Sequence, residues 1–113
     1  FAGEVYVLID RYSYSNTVSV AAIVKDYGFA TLLGEKTADF ATTYGAMEEF
    51  KLNHTGIPVG FPKAHIIRPN GDMQPDGVTP DILIHTPKTP GSHQQVLQEA
   101  VDHIQHALQT SVN

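Results

Sequence analysis

The chain has 113 residues, 42% hydrophobic and 17% charged, which suits a packed core in one domain or part of one and excludes a disordered chain. Its formal net charge is −5 and its 7 Lys and Arg residues are scattered singly, which excludes the clustered basic patch of a nucleic-acid surface. The lack of cysteine excludes disulfides, thiolate metal sites and cysteine nucleophiles, and no apolar run is long enough to span a bilayer.

Residues 4–10 (EVYVLID) are predicted as a strand. Val5, Val7, Leu8 and Ile9 form the near-continuous apolar run of a strand buried on both faces. A helix is predicted from Ser15 to Tyr27, with Val18, Ala21, Ala22, Ile23 and Val24 as its apolar content and Gly28 as its stop. Phe29 to Leu33 reads as a second buried strand, closed by Gly34. Residues 4–34 thus make one β-α-β unit, with parallel strands and a right-handed crossover. Residues 36–45 are small and polar and read as a loop. Met47 to Leu52 and Ile57 to Phe61 read as strands around the turn His54-Thr55-Gly56. Ala64 to Arg68 reads as a third short strand before the turn Pro69-Asn70-Gly71-Asp72. Gly56 and Gly60 suit hinge or bulge positions. GVTPDILI (Gly77 to Ile84) leads from a loop into a strand. After a Pro-rich stretch, Ser92 with Gln95 spells a capping box. The last helix follows, with Leu97, Val101, Ile104 and Leu108 on one stripe and Val96, Ala100 and Ala107 beside it. No internal repeat, low-complexity tract or domain linker is visible. The chain opens on Phe1 rather than a start methionine and carries no secretory leader, so further chain is expected upstream.

Ser15 stands where a buried strand gives way to a helix. Such a junction exposes a side-chain oxygen at the sheet edge and aims backbone N–H groups at whatever lies beside it. The same geometry serves helix capping and nucleophilic catalysis. The positive end of the helix dipole would favour charge developing at a nucleophile placed there. The histidines read first as solvated. His93, His103 and His106 lie on or beside the last helix, and the pair His103 and His106, three apart, has no third metal ligand nearby. His54 sits in a turn and His85 at a strand end, while His65 could face the sheet interior and serve as a base. Tyr12, Tyr14, Phe29, Phe40 and Tyr44 either line a cleft near Ser15 or, Phe29 above all, belong to the core.

The run VYVLID-RYSYSNTVSVAAIVKDYGFATLLGEKT, followed at a distance by GVTPDI, resembles the tail-specific (C-terminal processing) serine proteases, including their tricorn-like and retinoid-binding-protein-like branches. The ordered matches cover roughly residues 5 to 84. The resemblance implies an α/β fold, a mixed sheet of the ClpP/crotonase type, with residues 1–113 as the C-terminal part of a larger catalytic domain. It places Ser15 at the nucleophile. The Asn16 N–H then stands as an oxyanion donor, as the residue after the nucleophile does in similar sites. Ser13 matches a threonine-like position before the nucleophile, and Ser19 falls inside the helix. Asp81 in GVTPDI and Glu35 in GEKT match recurring positions and are expected to hold loops by hydrogen bonding. Gly34 and Gly77 suit tight turns or close backbone approach.

The chain departs from the pattern at three places. Processing proteases pair their serine with a lysine shortly after the GExT segment. Here that position is Phe40, and Lys36, in the variable slot of GEKT, reads as a surface residue. The tricorn-like branch uses a histidine from well upstream, supported by a second serine and a glutamate. The glutamate position here reads as Gln74, or as Asp72 or Asp76 if the turn is shifted. A glutamine can orient a partner but cannot supply charge to an imidazolium. Val18 stands where many members carry glutamate. The expected function is serine-type hydrolysis of unstructured or C-terminal polypeptide segments through a Ser15 acyl-enzyme, with no cofactor or metal. The first alternative is a member without activity that binds peptide or a hydrophobic ligand. The second is a crotonase-like acyl-CoA enzyme, for which no signature is visible. The resemblance also implies an extracytoplasmic setting. A sheet half this size leaves apolar surface uncovered, so the upstream part of the same domain, and a homo-oligomer, are expected partners. Alone, the chain is expected to show negligible hydrolysis.

Overall fold

The computed structural model describes residues 3–89 and 91–110. The elements run β1 (Tyr6–Ile9), α1 (Asn16–Tyr27), β2 (Thr31–Gly34), β3 (Thr43–Lys51), β4 (Pro58–Ile66), β5 (Ile82–Leu83) and α2 (His93–Thr110). The predicted β-α-β unit is present. β1 and β2 pair in parallel from Tyr6↔Thr31 to Ile9↔Gly34, and β5 adds to the far side of β2 at Leu33↔Ile82 and Gly34↔Leu83.

β2 is the centre of the core, because successive side chains of a strand point to opposite faces. Leu32 packs with Ile9, Val18, Ala21, Ala22, Ala41 and Val78 on the α1 side. Leu33 packs with Ile84, Val96 and Ala100 on the α2 side. Each face of the small parallel sheet is thus covered by one helix. Gly34 allows the closest approach of β1 to β2. A Cβ there would lie 1.9 Å from the Ile9 carbonyl oxygen, and its φ of 117° disfavours any L side chain.

Several expectations are corrected. Parallel and antiparallel pairings fall in two separate sheets rather than one, order β1-β2-β5 and β3-β4. The predicted loop 36–45 ends early, because Thr43 to Gly45 join β3 opposite Ala64 to Ile66. The three short strands expected over 47–68 are one continuous hairpin, with constant register from Thr43↔Ile66 to Lys51↔Pro58. Gly60 pairs with Glu49 without an offset, so it is no bulge; the irregular residue is Ala46, at φ 55°. Phe29 is not core: it is exposed and stacks on Tyr27 at 5.4 Å.

α2 is also rotated from its expected stripe. Val96, Ala100 and Ile104 face the sheet, while Leu97 is 52% exposed. The small side chains of Val96 and Ala100 let the helix axis come close to Leu33, which favours their edge of the apolar face. The Ser92 hydroxyl donates to the Pro87 carbonyl at 2.9 Å, in place of the expected capping pair with Gln95.

The hairpin is an arm. Its strands of 9 residues are each roughly 30 Å long at about 3.4 Å per residue. It gives the molecule a longest dimension of 72 Å. The radius of gyration is 18.4 Å, against about 13 Å for a compact chain of this length. Met47, Phe50, Leu52, Ile57 and Phe61 are exposed along it. The arm is fastened at its base. Arg68 makes two bonds to Asp26 at the end of α1, Nε to Oδ2 at 3.0 Å and a terminal nitrogen to Oδ1 at 2.7 Å. The buried Thr42 hydroxyl donates to the Asp72 carbonyl at 2.5 Å and accepts the Arg68 N–H at 3.2 Å.

Candidate active site

Ser15 occupies the turn between β1 and α1, immediately before the first helical residue. Its backbone lies at φ 56°, ψ −126°, a region costly for a residue with a Cβ, by about 1–3 kcal/mol. Ser15 does not cap the helix: its hydroxyl bonds no amide of the first turn, nor any other described residue. Of the two roles open to a serine here, capping is absent, and the geometry is that of a sharp turn from strand to helix presenting an unbonded oxygen. Ser15 and Asn16 line a groove whose opposite wall is the start of β3, with Tyr14, Phe40 and Tyr44 around it. The first turn of α1 carries no acidic residue, so its positive end is not offset from within the helix. Among the described residues, nothing accepts the Asn16 N–H.

The Ser15 N–H is engaged. It donates to Asp39 Oδ2 at 2.7 Å, and the other oxygen of that carboxylate accepts the Phe40 N–H at 2.9 Å. The Thr37 hydroxyl donates to the Asp39 carbonyl and accepts the Val78 N–H, both at 2.9 Å. The Thr37 N–H returns to the Val78 carbonyl at 3.1 Å. Gly77 makes this interlock possible, since a Cβ on it would lie 2.0 Å from the Thr37 carbonyl oxygen. The segments GEKT and GVTPD are therefore pinned to each other beside Ser15. Their acidic residues do the structural work expected of them. Glu35 accepts the Thr86 N–H at 2.9 Å and pairs with Arg11 at 3.3 Å. Asp81 accepts the Leu32 N–H at 2.8 Å and the Lys25 ammonium at 2.6 Å. The Lys25 bond, helped by the Leu32 N–H, holds the Asp81 carboxyl below the usual range against the opposing effect of burial. Lys36 is a surface residue paired with Asp76 at 2.6 Å, and that bond lowers the Asp76 carboxyl.

The sequence profile of peptidase family S41 matches residues 1–84. The chain belongs to peptidase family S41. No curated protein matches this S41 chain in sequence. Among solved structures it is similar to mature CPAF, at 27% identity and TM-score 0.54 over 69% of this chain and 15% of that one. It is similar to the photosystem II D1 C-terminal processing protease, at 24% identity and TM-score 0.61 over 83% and 23%. It is also similar to mature CPAF complexed with lactacystin, at 23% identity and TM-score 0.62 over 91% and 20%. The S41 chain thus spans about a fifth of these neighbours' lengths. The resemblance to tail-specific proteases read from the sequence is borne out.

The remaining expected site residues are dispersed. Gln74 is exposed in the turn after the arm, where its N–H donates to Asp72 Oδ1 at 3.0 Å, and it does not line the Ser15 groove. Ser13 is tied to Asp10, its hydroxyl donating to Oδ1 at 3.2 Å. Of the expected aromatic cluster, Tyr14, Phe40 and Tyr44 reach the groove, and Tyr12 and Phe29 do not. His65 does not face the interior; it is exposed and stacks on Tyr44 at 4.5 Å. Among the described residues no group of histidine, cysteine, aspartate and glutamate could hold a metal ion, and no helix is long and apolar enough to cross a membrane. Sequence reasoning missed Asp39 and Ala46. Neither carries a local signal, since an aspartate in a loop is ordinary and an alanine gives no warning of a left-handed backbone.

Proposed function

We propose that this chain supplies the nucleophile region of a serine peptidase that cleaves unstructured or C-terminal polypeptide segments. Membership of family S41 supports peptidase chemistry. The observation that carries the role of Ser15 is its strained backbone with an exposed, unbonded hydroxyl at the head of α1. In this reading Ser15 Oγ attacks the peptide carbonyl carbon. Its proton passes to a base and then to the departing amine as the C–N bond breaks, and water releases the acyl group. The Asn16 N–H donates to the oxyanion, and the Asp39 carboxylate on the Ser15 N–H offsets part of the positive end of α1 there. The groove wall from Thr43 to Met47 offers the side chains of Tyr44 and Met47 to the substrate, on a strand whose backbone turns irregular at Ala46.

The base comes from elsewhere in the catalytic domain, because no histidine or lysine of the described residues lines the groove. Gln74 would act only by orienting such a partner. The rest of the domain would continue the parallel sheet in the ClpP/crotonase manner and cover the exposed apolar residues of the arm. With no histidine or lysine among the described residues that line the groove, and Phe40 in the lysine slot, a second reading has support, a peptide-binding member without activity. A fluorophosphonate probe on the full-length protein separates the two. The enzyme labels, and Ser15→Ala abolishes the label. A folded full-length protein that never labels leaves the binding module.

A further inference from the structure

We propose that Asp39 is the positioning residue for Ser15: its carboxylate holds the left-handed turn and thereby aims the hydroxyl into the groove. The inference rests on the reading of Ser15 as the nucleophile. A serine at φ 56° needs outside support, and its own side chain supplies none. The Ser15 N–H finds that support in Asp39 Oδ2 at 2.7 Å, a short charge-assisted bond. Asp39 is itself fixed at two further points, the Phe40 N–H on its second oxygen and the Thr37 hydroxyl on its carbonyl. Thr37 is buried and locked to Val78, across 41 positions of sequence. A rigid path therefore runs from the GVTPD loop through the GEKT segment to the backbone of Ser15. It explains in physical terms why two segments so far apart in the chain accompany the serine.

Asp39 is not the base in this arrangement. Both carboxylate oxygens are engaged by backbone N–H groups, and the Ser15 hydroxyl makes no bond to it. With the Ser15 N–H taken, the helix-start donor left to face the groove is that of Asn16.

The test compares full-length wild type, Asp39→Ala, Asp39→Asn and Asp39→Glu, each first shown to be folded by its thermal melt. A fluorophosphonate probe gives kinact and KI separately. Loss of a hydrogen bond to a charged group lowers kinact of Asp39→Ala about 10–100-fold, with KI unchanged. An asparagine side chain keeps one acceptor for the Ser15 N–H but loses the charge and turns its NH2 toward the Phe40 N–H, so Asp39→Asn recovers only part of the rate. Asp39→Glu keeps the charge but displaces it, so it is slow; this variant and Asp39→Asn carry the test if Asp39→Ala does not fold. Wild-type kinact in Asp39→Ala, or Asp39→Asn slower than Asp39→Glu, overturns the proposal. If the wild type never labels, the nucleophile reading fails by itself. The Ser15 amide then decides the positioning role: faster hydrogen exchange in Asp39→Ala but not in Asp39→Asn supports it, and unchanged exchange overturns it.

Discussion

Arg68→Ala should unfasten the arm. The Arg68 and Asp26 side chains are only 11% and 5% exposed, so the pair sits largely out of water. Arg68 gives Asp26 two bonds, and the Asn70 N–H gives a third at 3.2 Å. Removing the guanidinium leaves a half-buried carboxylate with one backbone donor. Breaking a fully buried pair from one side costs about 3–5 kcal/mol; this pair is part-buried at the base of the arm, and the retained Asn70 bond helps the carboxylate, so the cost is about 2–3 kcal/mol. That is a large share of the roughly 5–15 kcal/mol that holds a domain together, and it lowers Tm by about 10 °C at this chain length. The pH dependence has a fixed sign. The Arg68 hydrogen bonds hold the Asp26 carboxyl below its ordinary value, with burial opposing and the Asn70 N–H assisting. The stabilisation is therefore fully present above the unfolded value of about 3.9 and is lost as pH falls through the lower folded value. Urea melts of wild type and Arg68→Ala at pH 7 and at decreasing pH below 4 measure both effects. A variant within about 0.5 kcal/mol of wild type at pH 7, or a gap that does not narrow in acid, would refute the argument.

Gly34→Ala should destabilise by about 3 kcal/mol or more, since its Cβ falls 1.9 Å from the Ile9 carbonyl in a left-handed backbone; near-wild-type urea stability would show that β1 and β2 can part without cost. The rotation of α2 predicts opposite results for two helix variants: Ala100→Gln, at 4% exposure, loses about 2 kcal/mol or more, while Leu97→Gln stays within about 0.5 kcal/mol, and the reverse order in thermal melts would mean the Leu97 stripe faces the sheet.

Much of the β-α-β unit was legible because local signals agreed there. The apolar run before Asp10, the stop at Gly28 and the second run before Gly34 each specify one element without tertiary help. Ser15 could be singled out by its junction, but only its backbone angles and the bonding of its hydroxyl show that it does not cap α1. The helix stripe was harder, because Val96 and Leu97 are neighbours around one apolar face and only the close packing against Leu33 chooses between them. The arm reads as three strands in the sequence because Pro62 looks like a break, although Pro62 pairs with Met47 in the same register as the rest. Asp39 meets Ser15 across 24 positions, a separation that leaves no trace in composition or periodicity.

One consequence of the arm concerns insertions and deletions. On one face the pairs Tyr44 with His65, Glu48 with Lys63, and Phe50 with Phe61 follow from a single unshifted register. Losing one residue from either strand would send every side chain beyond the cut to the reverse surface and separate these partners. Natural variation in arm length should therefore come as whole rungs, two residues at a time on both strands, or be confined to the tip at 52–57.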